Sequence, residues 1–319
     1  MSGKGRLSEE QKKTLAVLEP RLRLCLKSGD LNKAKKVTSE IVKLLRPTGH
    51  ETRILQAKNW LFEVALESGN LTYAKLGFEG IIKKSSGQTR LHLEATALLA
   101  ICYIREQNLD MARELIIKAV QKINNINSVE RRKQFHNRLL ERLEEESILV
   151  GLVNQGGKPL EIDQVDAEAV KLVMNKTEDQ ILIEMGKAVP KQSMEMLNHV
   201  RETYQLRIAH ADKKMLPPPL TEDTKVELGK RANTALKRVA WRALCSPESE
   251  IYKAWSNGLS VVYDKKYIAG AIVASFNSFS ISATMIAASA AALAIKFGAE
   301  VFCETFAPKS MMIERTDKS

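Results

Sequence analysis

The sequence predicts an all-α protein: a series of helical hairpins, then a helical C-terminal domain that ends in an apolar helical hairpin. Three observations predict this. Of 319 residues, 44% are apolar but only 5% aromatic, and Ala, Leu, Ile, Glu and Lys dominate. These side chains lose little freedom in a helix, and no sustained apolar/polar alternation of the strand kind is present. A short motif recurs three times in the first 126 residues, and the segment from Tyr267 to Ile295 contains no Asp, Glu, Lys or Arg.

The chain opens with MSGKGRLSEEQKK, which has no apolar core of a secretory signal. Ser8 with Gln11 forms the pattern of a capping box and predicts a helix start, and Pro20 predicts a kink or break within that helix. The recurring motif is GDLNKAK at 29–35, GNLTYAK at 69–75 and QNLDMAR at 107–113. Anchored on Asp30, Asn70 and Asn108, the copies lie 40 and 38 residues apart. Leu26, Leu66 and Ile104 stand four residues before the anchors; Ile41/Val42, Ile81/Ile82 and Ala119/Val120 stand eleven and twelve after. This is the pattern of a hairpin. A first helix ends at Gly29 or Gly69, where a residue without Cβ adopts a left-handed cap, and the Asx residue N-caps the second helix. Ala34, Ala74 and Ala112, one turn in, let the two helices approach. One such unit cannot bury its apolar face alone, whereas three stacked units build a continuous core.

On these residues, Leu7 to Ile126 resembles the tetratricopeptide-repeat family. The family's small residue in the second helix falls on Ala34, Ala74 and Ala112, and its next apolar position on Phe78 and Ile116, with Thr38 breaking the first copy. Ile41, Ile81 and Ala119 fill the following packing position, but Leu22, Phe62 and Ala100 stand where the family has a small first-helix residue. The spacing also exceeds the family's usual length of about 34 residues. The resemblance implies a degenerate, slightly long repeat whose concave face takes a protein or peptide. Phe62, Tyr73 and Tyr103 are the expected partner-binding residues on that face.

Further along, Ser128–Val150 is a charged helix with many i,i+4 opposite-charge options, followed by a linker at NQGGKP. DAEAVKLVMNK and TEDQILIEMGK predict two short helices, the second capped by Thr177, and SMEMLNHVRETYQLRIAHADKK a longer one. LPPPL, 216–220, is an extended connector, since three prolines cannot be helical in sequence. A helix follows from Thr221 to about Cys245, and Ser246-Pro247-Glu248 predicts the start of another that stops at Asn257-Gly258. The expected organisation is a repeat module over 1–153, a helical middle region over 154–216, and a C-terminal domain over 217–319 carrying the apolar hairpin at 265–303.

Within that hairpin one helix is predicted from Lys265 to Phe276, with Ile268, Ile272 and Phe276 on one stripe, and a second from Ser282 to Cys303. The second has a bulky side that includes Leu293 and Phe297, and small ladders that include Ala287/Ala291 and Ala294/Gly298. Small ladders permit close helix packing in membranes and in soluble cores alike. A span needs about 20 mostly apolar residues, and Lys296 interrupts this one after fifteen.

Chemistry is sparse. Cys25, Cys102, Cys245 and Cys303 are widely separated with no C-x-x-C pair, so buried free thiols rather than a disulfide are expected. Glu195, His199 and Glu202 share a helix face, but no second ligand set accompanies them, so no metal is expected. NQGGKP lacks the spacing and hydroxyl of a phosphate loop, and no hydrolase or dinucleotide fingerprint appears, so neither an enzyme nor a cofactor is expected. The net charge of +11 favours polyanions. Arg131/Arg132/Lys133 and Lys237/Arg238/Arg242 are the candidate polyanion-binding residues, although both sets also fit amphipathic helices with arginines outside.

The sequence therefore predicts a non-enzymatic, cytoplasmic scaffold that binds a protein or peptide and assembles, as a homo-oligomer, through the packing of Ile268, Ile272, Phe276, Ala287, Ala291, Leu293, Ala294, Phe297 and Gly298. The alternatives are a sensor–effector whose hairpin inserts into an anionic membrane, and a basic nucleic-acid-binding protein.

Overall fold

A computed structural model describes residues 5–153, 157–214, 216–220, 224–245, 249–250, 252–253, 265–298, 301–303 and 310–311. The fold is all-α, as expected. Among the described residues the single β feature is an isolated antiparallel bridge between Val153 and Ile281. The chain forms two compact units: residues 1–139 with 203–216 and 309–319, and residues 140–202 with 217–308.

The first unit is built on three consecutive helical hairpins: α1 (Glu9–Ser28) with α2 (Leu31–Leu45), α3 (Glu51–Glu67) with α4 (Leu71–Lys84), and α5 (Arg90–Arg105) with α6 (Leu109–Gln121). The Ser8–Gln11 capping box opens α1, which continues through Pro20, so that of the expected kink or break there is no break. The three turns share one device. Gly29 and Gly69 take φ of 66° and 77°, and Gln107, at the equivalent place in the third hairpin, takes φ of 58° despite its side chain. Asp30 and Asn108 then accept from the backbone N–H of Lys33 and Met111, whereas Asn70 makes no side-chain cap bond. Ala34, Ala74 and Ala112 are buried one turn in, and so are Thr38, Phe78 and Ile116 one turn later. The principal contacts run α1–α2–α3–α4–α5–α6 in chain order and directly between α1 and α3 and between α3 and α5. First helices thus touch first helices, which places them on the inner side of the stack.

The second unit holds the C-terminal part of α7 (Val129–Leu152), then α8 (Ile162–Asn175), α9 (Glu178–Ala188) and the first part of α10 (Lys191–Arg207). A four-residue α11 (His210–Lys213) belongs to the first unit. The second unit continues with α12 (Lys225–Cys245), α13 (Lys265–Ser278) and α14 (Thr284–Phe297). Thr177 caps α9 in a capping box with Gln180, as expected. The crossing of α9 and α12 is set by glycine: a Cβ on Gly229 would collide with the Leu182 carbonyl, and one on Gly186 with the Lys225 carbonyl. The predicted helix start at Ser246–Glu248, its end at Asn257-Gly258, and the first half of the NQGGKP linker lie outside the described residues.

The apolar hairpin is the centre of this unit's core. α14 packs against α8, α9 and α13, and every residue from Ile286 to Ala294 is buried. A helix apolar on all sides is stable only when surrounded. α14 is shorter than expected: it ends at Phe297 because Gly298 takes φ of 78°, although 301–303 are helical again. No helix among the described residues is long and apolar enough to cross a membrane.

Candidate functional site

The inner layer of first helices carries a polar row in an otherwise apolar interior. Asn59, Glu63 and Glu67 follow one another at i, i+4 and i+8 on α3, the spacing that aligns side chains along one face, and all three are buried. Glu94 on α5 is buried too and pairs with Arg90 at 3.1 Å. Arg105, at the end of α5, donates to the Leu66 carbonyl at 2.5 Å and lies 3.9 Å from Glu67.

Glu63 is the residue that meets another segment. Its side chain is in a residue only 2% exposed, yet it accepts the backbone N–H of Met311 at 2.7 Å and the hydroxyl of Ser310 at 2.8 Å. Met311 is itself 2% exposed. Residues 310–311 belong to the first unit although 247 positions separate Ser310 from Glu63 in the sequence. A carboxylate that takes one main-chain donor and one adjacent hydroxyl holds a short piece of peptide partly through its backbone. Hydrogen bonds to an ionised acceptor are about twice as strong as neutral ones. The sequence signal for this site was present as the N-x-x-x-E-x-x-x-E row of NWLFEVALE, which breaks the apolar inner face of the predicted first helix.

The aromatic residues expected on the binding face are half-buried and already partnered. The Phe62 ring meets Tyr73 edge-on at 5.3 Å and Phe78 at 6.1 Å, over Gly77, where a Cβ would strike the ring. Phe62 therefore packs between α3 and α4. Lys35 Nζ stands 5.0 Å from the centre of the Tyr73 ring, and Lys75 Nζ 4.9 Å from that of Tyr103. Lys75 also pairs with Glu106 at 2.8 Å, and Tyr103 reaches Glu79. The structure brings Phe62 and Tyr73 together and sets Tyr103 apart, within a ladder of charge and ring.

A second polar cluster lies deep in the same unit. The Tyr204 hydroxyl and Nδ1 of His136 share a hydrogen bond at 2.5 Å, and Asp212 Oδ2 lies 3.5 Å from Nε2. Burial pushes the His136 pKa down, with Asp212 pulling the other way, and burial pushes the Tyr204 hydroxyl up. All three groups are buried, so the cluster ties α11 to α7 and α10 and offers no face to a substrate.

In the second unit the run Glu144–Glu145–Glu146 of α7 is interior. Glu144 is held by Arg201 at 2.6 Å and Arg231 at 3.2 Å, Glu145 by Arg238 at 2.6 Å, and Glu146 by Arg142 at 2.8 Å. Arg201 also donates to the Pro217 carbonyl, which fixes the start of the proline connector. Burial raises the Glu144 pKa, with Arg231 and Arg201 opposing it. The helix expected to carry its arginines outside thus carries two basic residues inside. Arg238 spends its charge on Glu145, and Lys237 is 5% exposed, its Nζ 5.8 Å from the Phe302 ring centre and its pKa pulled down to about 7 by burial. Neither presents charge at the surface. The side chain of Arg242 lies outside the described residues. Arg131 and Lys133 are exposed, and Arg132 donates to the carbonyls of Ile126 and Asn127.

Cysteine usage needs a correction. Cys25 and Cys102 are buried free thiols as expected, but Cys245 and Cys303 form a disulfide with their Cα atoms 5.4 Å apart. Pairing across 58 residues leaves no local spacing to notice; it follows from α14 folding back against α12. The Trp241 indole donates to the Cys303 carbonyl beside it. Of the hairpin residues, Ile268, Ile272, Phe276, Ala287, Ala291, Leu293 and Ala294 are buried in this core, while Phe297 and Gly298 are half-buried at its edge. Among the described residues, no three His, Cys, Asp or Glu side chains are placed to hold a metal. No family model, curated protein or solved structure matches the chain.

Proposed function

We propose that the chain is a non-enzymatic adaptor whose three hairpins form a degenerate tetratricopeptide-like module. The inner layer of that module binds an extended segment of a protein partner. The observation that carries this reading is Glu63: a buried carboxylate on an inner helix that accepts one main-chain N–H and one neighbouring hydroxyl. A carboxylate in a helical core is expensive to bury without donors, so a fold that keeps one there and aims it at a separate strand has the chemistry of a peptide acceptor. The recurrent turn at Gly29, Gly69 and Gln107 and the buried Ala34, Ala74 and Ala112 support the repeat assignment. The second unit is closed by its own disulfide between Cys245 and Cys303.

Display of random 12-residue peptides on phage against the intact chain tests this. Enriched peptides are expected to lose about tenfold in affinity, the value of one charge-assisted hydrogen bond, when Glu63 is changed to Gln. Equal binding to the Glu63→Gln chain sinks the reading, as does failure to enrich any peptide on a chain whose Ser310–Glu63 bond is removed by Ser310→Ala.

A further inference from the structure

The strand that Glu63 holds belongs to the chain itself. Resting on the binding role proposed above, we propose that Ser310 and Met311 are an intramolecular ligand of the polar row on α3: they occupy Glu63 in cis, and a partner displaces them by offering the same chemistry. That chemistry is a hydroxyl residue followed by an unbranched apolar residue whose main-chain N–H is free to donate.

Each part of this description has a counterpart on the page. The hydroxyl is Ser310, which donates to one oxygen of Glu63, and the backbone donor is the next residue, Met311, on the other oxygen. The apolar side chain is Met311, almost fully withdrawn from water. Methionine suits a site that must also take other segments, because its flexible, polarisable side chain fills irregular gaps. The acceptor sits between Asn59 and Glu67 on one buried face of α3, so the polar row extends a turn in each direction from the point of capture. Glu67 and Glu94 have arginines beside them, Arg105 and Arg90, on α5. The tail thus occupies the part of the row where a carboxylate meets main chain.

A tethered ligand competes at an effective concentration on the order of millimolar, so an external peptide is masked unless it binds well below that or the tail is released. The geometry also says how release works. Negative charge on Ser310 would stand against the Glu63 carboxylate, replacing a donor with a like charge at hydrogen-bond distance, and would eject the segment.

The test uses the intact chain and a fluorescein-labelled peptide of the sequence APKSMMIERTDKS, residues 307–319. Fluorescence anisotropy measures its binding to wild type, Ser310→Glu and the Ser310→Glu/Glu63→Gln double variant. Hydrogen exchange reads the Met311 amide of each. The expected result is an amide that is protected in wild type and free in Ser310→Glu. The peptide then binds Ser310→Glu at least about tenfold more tightly than wild type, and the double variant loses that gain. A Met311 amide that exchanges freely in wild type overturns the proposal, as does equal peptide binding by wild type and Ser310→Glu. If the amide is freed in Ser310→Glu but the peptide does not rebind, the tail is a structural clasp and not a ligand, which also overturns it. In that case displayed peptides that still require Glu63 keep the polar row as a partner site, whereas their absence removes the binding role as well.

Discussion

Lys237 sets an expectation at the scale of one side chain. It is buried in the second unit with its pKa pulled down to about 7 by loss of water, against an ordinary value of 10.5. The unfolded chain therefore holds more protons than the folded one between these values, and stability rises with pH across that window. Below pH 7 both states are protonated and the full cost of burying the ammonium is present. The Cys25 thiol and the Tyr204 hydroxyl, both pushed up by burial, act in the opposite sense once pH passes their ordinary values of 9.0 and 10.0. The cleanest reading is thus a difference. Between pH 7 and 9, urea unfolding should show stability climbing in wild type and a flatter profile in Lys237→Met; parallel profiles would mean that Lys237 remains an ordinary, hydrated lysine. None of this was legible in KRANTALKRVAWR, where Lys237 and Arg238 resemble any solvated pair. Nor was it legible in RLEEESILV, whose three consecutive acids have the look of a helix surface. Glu144 and Glu145 are held inside by partners brought from elsewhere in the chain, Arg201, Arg231 and Arg238, and pairings at that distance leave no periodic trace.

At the scale of elements the sequence was far more readable, because the hairpins are specified locally. Glycine, an Asx cap and alanine one turn later recur at fixed offsets, and the structure puts all three copies in the same geometry. The informative departure is the third turn. Gln107 holds φ of 58° where its counterparts are glycines. A side chain in the left-handed region costs roughly 1–2 kcal/mol, and glycine relieves that while adding freedom to the unfolded chain. Gln107→Gly is therefore expected to stabilise the protein by about 0.5–1 kcal/mol, read as a higher urea midpoint at unchanged slope. A loss of stability would show that the Gln107 side chain does more than occupy the turn. Among the details the sequence left open, α1 continues through Pro20 with Leu15, Leu18 and Leu22 buried on either side of it. α14 stops early because Gly298 turns the backbone away, a choice that an Ala/Gly-rich ladder does not announce.

For the whole molecule the question is what an uncharged segment is doing in a chain of net charge +11. α14 has 14 residues, a length of about 21 Å against a hydrocarbon core of about 30 Å. It is the centre of the second unit's core, with α8, α9 and α13 packed on it and the Cys245–Cys303 bond closing the loop that contains it. Presenting α14 to lipid would dismantle that core and leave Glu144, Glu145 and their arginines without the fold that buries them. A disulfide closing a loop of 58 residues adds up to about 4 kcal/mol against such opening, by the entropy it removes from the unfolded chain. The barrier is therefore highest in the oxidised protein and lowest after reduction. In flotation with neutral phosphatidylcholine vesicles, chosen so that surface basic residues contribute nothing, the oxidised chain should remain in the dense fraction at neutral pH. The reduced chain, or Cys303→Ser, should unfold its second unit at lower urea than the oxidised chain. Oxidised protein that floats with its 265–298 segment shielded from protease would mean that the hairpin leaves the core in spite of the bond. The apolar segment would then be an inserting element, and the adaptor reading would have to yield to the membrane one.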